Sequence, residues 1–211
     1  MKKQISLFCI VISLIVGCQD EYEKFEDLGD SKRKNKDYEG AIIEYTNAIK
    51  SNPEISDLYN KRGMAKDSKM DFQGAIDDYT NALDVAKSFR QERNRREYYY
   101  FNRGTSRYII SDYANAIKDL TESIWYDSDD YEKFYYRALC KAALTDYQGA
   151  IDDFTKSIDE DARHSDSYLE RGMIYYKLNQ KDKACSDWSK AGELGEAKAY
   201  DKIKEFCNKV P

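Results

Sequence analysis

The sequence has few of the residues that commonly mark a catalytic centre, a metal site or a flexible linker. It contains one histidine (His164) and two prolines, and its ten glycines are dispersed along the chain. One histidine cannot form a multi-histidine zinc site, and dispersed glycines do not form a phosphate-binding loop. We therefore expect His164 in a surface loop, and predict no catalytic residue, cofactor, metal or small-molecule substrate.

An excess of basic residues is absent as well. The 34 Lys and Arg residues are outnumbered by 39 Asp and Glu residues, which gives a net charge of -5. Nucleic-acid binding usually needs a basic face, so we predict no nucleic-acid partner. The scarcity of proline, together with abundant charged residues and 19 tyrosines, favours helices joined by short turns within one body.

The N-terminal segment has the pattern of an export signal. Lys2 and Lys3 precede an apolar run from Ile5 to Val16, which is shorter than the roughly 20 residues that a membrane-spanning helix needs. The sequence Ile15–Cys18 resembles the bacterial lipobox, which implies that Cys18 is lipidated. A plain secretory signal and an uncleaved anchor are the alternatives.

We accordingly predict a signal peptide over 1–17 and a lipidated tether over 18–24. Several acyl chains together give stable membrane attachment. The predicted location is the bacterial cell envelope, lipid-anchored to the periplasmic or the surface face of the outer membrane.

One fourteen-residue string recurs along the chain. It is DYEGAIIEYTNAIK at Asp37–Lys50, with further copies from Asp71, Asp112 and Asp146 and a weaker copy from Gln180. The apolar residues of the first copy share one face of a helix, and Asp37 can cap the start of that helix. These apolar residues are Ala41, Ile42, Tyr45, Ala48 and Ile49.

A small residue lies twelve positions before the central alanine of each copy. The central alanines are 34, 41, 34 and 34 residues apart, and an aromatic residue or leucine follows each by four positions. Small residues at a fixed offset across a turn would let two antiparallel helices approach closely. The pairs are Gly29/Ala41, Gly63/Ala75, Gly104/Ala116, Ala138/Ala150 and Gly172/Ala184.

Units of this length, with small and aromatic residues at these positions, resemble the tetratricopeptide-repeat family. The resemblance implies an all-α, right-handed superhelical solenoid of about five helix-turn-helix repeats, followed by a C-terminal capping helix. It places the array at 25–195 and the capping helix and tail at 196–211. The repeats would span about 25–53, 56–90, 97–128, 131–162 and 165–192.

In that family the first helix of each repeat lines a groove that binds a peptide or a helix. Carried over to this chain, the groove would be polar at its start and aromatic towards its end, although many of its aromatic side chains could instead pack between helices. The candidate residues are Asn60, Met64, Tyr98, Phe101, Tyr108, Tyr135, Leu139, Leu169, Met173 and Tyr176.

Seven extra residues in the second interval form a basic insert. Its candidate contact residues are Arg90, Arg93, Arg95 and Arg96. They could contact an acidic partner or lipid headgroups, or the insert could be a solvated extension of the flanking helices. Elsewhere the acidic pairs Asp77–Asp78 and Asp152–Asp153 are expected on a solvated face, because adjacent helical residues point in different directions.

Two cysteines near the end of the chain are candidates for a disulfide. Cys185 lies early in the fifth repeat's second helix and Cys207 lies late in the cap, so antiparallel packing would bring them together. Export to an oxidising compartment favours the bond, and two buried thiols are the alternative. Cys140 is expected to be a small buried residue.

Two functions fit these patterns. The first is a membrane-anchored adaptor that binds a peptide or a helix of another cell-envelope protein through the groove. The second is a structural subunit of an envelope assembly, such as outer-membrane biogenesis, a pilus, or gliding or secretion machinery. That subunit would dock through its outer face or the basic insert.

Overall fold

The computed structural model describes residues 21–88 and 95–207, and the described residues are helical with no strand. The chain divides into two compact units, an N-terminal unit Met1–Ser106 and a C-terminal unit Arg107–Pro211. The predicted signal peptide and Cys18 lie outside the described residues. The first helix is described from residue 21, so the predicted tether includes residues that are helical.

Within each unit, successive helices pack against one another and follow the internal repeats. The N-terminal unit holds α1 (21–34), α2 (Tyr38–Ser51), α3 (Ser56–Ser68), α4 (Phe72–Ser88) and most of α5 (Arg96–Ile109). The C-terminal unit holds the end of α5, then α6 (Tyr113–Tyr126), α7 (Tyr131–Ala143), α8 (Tyr147–Glu160), α9 (Ser165–Lys177), α10 (Lys181–Glu193) and α11 (Ala197–Lys202), which continues as a π-helical turn over Ile203–Cys207. Odd-numbered helices up to α9 are the first helices of their repeats.

The seven-residue insertion lengthens one helix by about a turn. Helix α4 has 17 residues, whereas its counterparts α2, α6 and α8 have 14 each. The rest of the insertion includes positions outside the described residues. Extending α4 by a turn keeps its apolar face continuous with the repeat core.

Aspartates start the second helices, as the sequence predicts. The Asp37 carboxylate accepts a hydrogen bond from the Gly40 amide at 2.9 Å, and Asp146 accepts one from the Gly149 amide at 3.0 Å. These bonds satisfy amide groups that the first turn of a helix leaves without partners. The capping aspartate thus fixes the start of α2 and α8, whereas Asp112 makes no such bond before α6 and α10 follows Gln180.

The small residues of the first helices receive aromatic rings from the second helices. A Cβ atom added at Gly63 would lie 2.7 Å from the Tyr79 ring, and one added at Gly172 would lie 2.6 Å from Nε1 of Trp188. Both rings are buried. The small residue thus provides room for the aromatic side chain that defines the core of its repeat.

An arginine–aspartate pair joins the two helices of a repeat. Arg137 of α7 donates from Nε and Nη2 to the Asp153 carboxylate of α8, and its Nη1 reaches Thr121 Oγ1 of α6 at 3.1 Å. The same contacts link Arg62 with Asp78 and Thr46, and Arg171 with Asp187 and Thr155. Each arginine therefore ties its own repeat to the preceding one and positions the first helix.

The expectation for the acidic pairs was half wrong. Asp77 and Asp152 are exposed, but Asp78 and Asp153 are 1% and 3% exposed and form ion pairs. A second cation also reaches each buried carboxylate, Lys66 at 2.8 Å from Asp78 and Lys141 at 2.7 Å from Asp153. The helical face that carries these aspartates turns towards the first helix rather than towards solvent.

Candidate functional site

Among the groove candidates of the N-terminal unit, some side chains contact other residues of the chain and one is exposed to solvent. Asn60 is 7% exposed, and its side-chain oxygen accepts a hydrogen bond from Asn102 at 2.9 Å. Its amide nitrogen lies 3.7 Å from the Met64 sulfur. Phe101 is half-buried, whereas Tyr98 is 59% exposed. Tyr98 is thus the most accessible of these four residues.

Among the candidates of the C-terminal unit, Leu169 is a core residue. It is 5% exposed and clusters with Ala184 and Trp188 of α10. The Trp188 indole also donates a hydrogen bond to the Leu169 carbonyl oxygen at 3.3 Å. The groove assignment for Leu169 is therefore corrected, because its position on α9 directs it into the repeat core.

The other candidates of this unit keep part of their surface accessible. Leu139 and Met173 are half-buried and pack against core clusters. Tyr176 is 38% exposed, with its ring 4.4 Å from that of Phe206 between centroids. Tyr108 and Tyr135 are half-buried.

These last two tyrosines belong to a continuous row of rings. The Tyr108 ring lies 6.0 Å from Tyr113 and 5.7 Å from Tyr136, and the Tyr136 ring lies 5.5 Å from Tyr135. The row continues through His164, 4.8 Å from Tyr135, to Tyr131 at 4.6 Å from the histidine. We call this set, Tyr108, Tyr113, Tyr131, Tyr135, Tyr136 and His164, the tyrosine strip.

The strip was only partly predictable from the sequence. Tyr136 was not among the candidates, although it lies two positions before Ala138, as Lys61 lies two before Gly63. His164 lies in the turn between α8 and α9, as the sequence predicts, but it is half-buried, and its Nδ1 lies 2.7 Å from Ser167 Oγ. The six rings come from three helices and one turn, and only the packing reveals that they are continuous.

Carboxylates surround the strip. Burial raises the pKa of Tyr135, and the charges of Asp166 and Glu170 raise it further. Burial, then the charges of Glu132 and Asp166, also raises the pKa of Tyr136. These hydroxyls therefore stay protonated at neutral pH and can donate hydrogen bonds.

The described part of the basic insert is engaged within the chain. Arg95 lies 3.4 Å from the Asp57 carboxylate, and Arg96 donates to the Ala86 carbonyl oxygen at 2.6 Å. Arg90 and Arg93 lie outside the described residues. The two described arginines contribute to the packing of the N-terminal unit.

Cys185 and Cys207 are joined by a disulfide, with their Cα atoms 5.8 Å apart. The bond attaches the π-helical turn to α10. Cys140 is a buried free thiol whose pKa burial raises to about 12. The high pKa keeps the thiol protonated and unreactive in the folded chain.

Residues 21–88 and 95–207 contain neither a metal-ligating cluster nor a membrane-spanning helix. No group of three metal-ligating side chains occurs there. No helix in the same ranges is long and apolar enough to cross a bilayer.

Comparisons with known proteins identify the repeat. The tetratricopeptide repeat family model TPR_6 matches residues 166–194. No curated protein matches the chain in sequence.

Several solved structures share the fold. The MamA structure from Desulfovibrio magneticus RS-1 is 15% identical with a TM-score of 0.77, and the match covers 83% of this chain and 95% of that one. YrrB, a tetratricopeptide-repeat protein described as having an unusual peptide-binding site, is 17% identical with a TM-score of 0.73, covering 86% and 90%. PilF from Pseudomonas aeruginosa is 17% identical with a TM-score of 0.70, covering 90% and 89%.

The matched family segment, the five internal copies and the shared fold agree with one another. The segment 166–194 corresponds to the helix pair α9–α10, and the other copies repeat its pattern of small, aromatic and aspartate residues. Residues 166–194 match a tetratricopeptide repeat, and the chain has the α-solenoid fold of tetratricopeptide-repeat structures such as YrrB.

Proposed function

We propose that this protein is a lipid-anchored adaptor that binds an extended peptide or a helix of another cell-envelope protein. Binding would use the side of the C-terminal unit formed by its first helices. The observation that carries the proposal is the tyrosine strip, whose six rings are all half-buried. We infer that the protein acts by binding rather than by catalysis.

A row of half-buried tyrosines suits recognition for physical reasons. A tyrosine side chain offers a large apolar face and a hydroxyl, and it loses little conformational freedom when a partner covers it. Tyr108 and Tyr136 are further restrained, because their rings already meet edge to face with centroids 5.7 Å apart. A partner would therefore meet a largely preformed surface, which lowers the entropy cost of binding.

The solved relatives support a peptide as the bound element. YrrB carries a peptide-binding site in the same fold, and its structure covers 86% of this chain. At 17% identity this is support from the fold alone, so the choice of peptide rests on the side chains of this chain.

The membrane anchor rests on the N-terminal sequence. The run Ile5–Val16 followed by Gly17 and Cys18 fits a cleaved signal with a lipidated cysteine. Labelling cells with an alkyne fatty acid tests this part. We expect label on the wild-type chain and none on Cys18→Ser, which should leave the membrane fraction.

Capture of partners from native membranes tests the binding surface. The variant Tyr108→Ala/Tyr136→Ala removes two adjacent rings of the strip, and Trp125→Ala is the matched control. Trp125 is 65% exposed on α6, a second helix. Partners should be lost with the tyrosine variant and kept with Trp125→Ala.

Equal recovery with both variants, each shown by circular dichroism to be folded, would exclude the strip as the binding surface. Loss of partners only on charge reversal of Arg90 and Arg93 would instead favour a structural subunit that docks through the basic insert.

A further inference from the structure

We propose that the tyrosine strip binds a cationic segment, so that a lysine or arginine side chain of the partner lies against the strip between Glu132, Asp166 and Glu170. This inference rests on the function proposed above and specifies its partner as a basic peptide.

Three buried carboxylates of the repeat cores are neutralised by cations of the chain, whereas the half-buried Asp67 accepts hydrogen bonds from two hydroxyl groups instead. Asp78, Asp153 and Asp187 each receive two hydrogen bonds from one arginine, and Asp78 and Asp153 each contact a lysine as well. This arrangement is expected, because leaving a desolvated charge without a partner is unfavourable.

The three carboxylates beside the strip have no arginine or lysine partner of this kind. Within the described residues, no ion pair joins Glu132, Asp166 or Glu170 to a cation. Asp166 and Glu170 are both half-buried. These three acidic side chains are therefore not neutralised by an ion pair within the described chain.

The helix dipole can stabilise the unpaired charge of two of these acids but not that of the third. Glu132 and Asp166 lie in the first turns of α7 and α9, where the helix dipole favours negative charge. Glu170 lies in the middle of α9 and gains no such stabilisation. Burial raises the pKa of Glu170, and the charge of Asp166 raises it further, while Lys198 and Lys177 only lower it in part.

The position equivalent to Glu170 in the N-terminal unit carries a positive side chain instead of a negative one. Lys61 of α3 and Glu170 of α9 both lie two residues before the small residue of their repeats. Lys61 contacts Glu26 and Asp30, each at 2.7 Å, so the acids around it are compensated. At Glu170 the cation would have to come from a partner.

The strip and the acids would act on a cation together. A lysine or arginine over a tyrosine face gains cation–π attraction, and a nearby carboxylate adds a charge-assisted hydrogen bond. Glu132 and Tyr136 lie four residues apart on α7, so they share one helix face, and Asp166 and Glu170 do the same on α9. The start of α9 lies beside the strip, because the His164 ring before it is 4.8 Å from the Tyr135 ring. Charge complementarity therefore favours a basic segment over a neutral or an acidic one.

Fluorescence anisotropy with three labelled peptides tests the proposal on the full mature chain. The decapeptides share an Ala/Ser background and carry three arginines, three leucines or three glutamates. We expect the arginine peptide to bind about tenfold more tightly than the leucine peptide, with an affinity that falls as salt rises.

Matched variants locate the effect. Asp166→Asn/Glu170→Gln should raise the Kd of the arginine peptide about tenfold, while Asp152→Asn/Glu160→Gln should change it less than about twofold. Asp152 and Glu160 are exposed on α8, so this control removes the same charge elsewhere on the unit. An unchanged Kd in the Asp166/Glu170 variant would overturn the proposal.

Two further outcomes would overturn the inference of a cationic partner while leaving the proposed function intact. If the leucine or glutamate peptide binds best and Tyr136→Ala abolishes that binding, the charge inference fails and peptide binding stands. If the arginine peptide does not bind while native partners are still captured through the strip, the cationic partner is again excluded. Failure of both assays would reject the proposed function as well.

Discussion

Arg137 and Asp153 form a two-pronged ion pair between α7 and α8, with Nε 2.8 Å and Nη2 2.7 Å from the carboxylate oxygens. The Asp153 side chain is 5% exposed and that of Arg137 is 15% exposed. This pair holds α7 in place, and α7 carries Tyr131, Tyr135 and Tyr136 of the tyrosine strip.

Removal of one member should destabilise the chain strongly. Asp153→Ala leaves the Arg137 guanidinium partly buried without its carboxylate, and we expect a loss of about 3 kcal/mol in the free energy of unfolding. Asp152→Ala, at the exposed neighbour, should change it by less than about 0.5 kcal/mol. Urea denaturation measures both variants.

A double variant distinguishes the net contribution of the ion pair to the free energy of unfolding from the cost of leaving one buried charge without its partner. Arg137→Met/Asp153→Leu replaces both charges by apolar groups and should be more stable than either single variant. A double variant as unstable as the sum of the two single variants would contradict this explanation.

The turns between the two helices of a repeat store a small strain that substitution should relieve. Thr145 has a φ of 64°, and Asn179, at the equivalent turn of the next repeat, has a φ of 58°. Asparagine tolerates this conformation better than a β-branched residue does. Thr145→Gly should therefore raise the free energy of unfolding by about 1 kcal/mol, and Asn179→Gly by clearly less. Thermal melts compare the two, and an equal gain would argue against backbone strain.

The uncompensated Glu170 should cost stability when no partner is bound. Because its pKa in the folded chain lies above its ordinary value, the folded state is penalised where the carboxylate is ionised, and the penalty disappears as pH falls through the raised pKa. Glu170→Gln should therefore stabilise the chain at pH 7 and have little effect near about pH 4. Urea titrations across this range measure the difference, with Glu160→Gln as the exposed control. A gain that persisted at the acidic end would indicate a cause other than charge.

The disulfide should stabilise the end of the chain. Cys185 and Cys207 close a loop of 22 residues, so reduction or Cys207→Ser should lower the free energy of unfolding by about 3 kcal/mol. In a chain that begins after residue 18 and so lacks Cys9 and Cys18, maleimide should label no thiol in the folded state. It should label one thiol, Cys140, after unfolding without reductant. Two additional labelled thiols under those conditions would show that the bond is absent.

The repeat architecture was readable from the sequence because it rests on local, recurring patterns. The spacing of Gly63, Ala75 and Tyr79 recurs in the other copies, and the structure builds each helix pair around such residues. The starts of α2 and α8 followed from the capping aspartates Asp37 and Asp146.

The features that the sequence did not predict depend on which face of a helix packs against a neighbouring helix. Asp78 and Asp153 were expected in solvent, although an arginine sixteen residues before each, Arg62 and Arg137, was a usable signal. Tyr136 was overlooked because its contact with Tyr108 joins residues of two different repeats. Such contacts depend on the angle between helices, which a repeat pattern does not specify.

Site-specific photo-crosslinking tests the central claim most directly. A photoreactive residue is placed in turn at Tyr136 of the strip and at Met173 of α9, both on first helices, and at Asp152 and Trp125, on second helices. The chain is expressed in its native membrane and irradiated. We predict that one partner protein crosslinks from positions 136 and 173 through a basic segment, and not from 152 or 125. Crosslinks that form only from 152 or 125 would contradict the proposed binding surface.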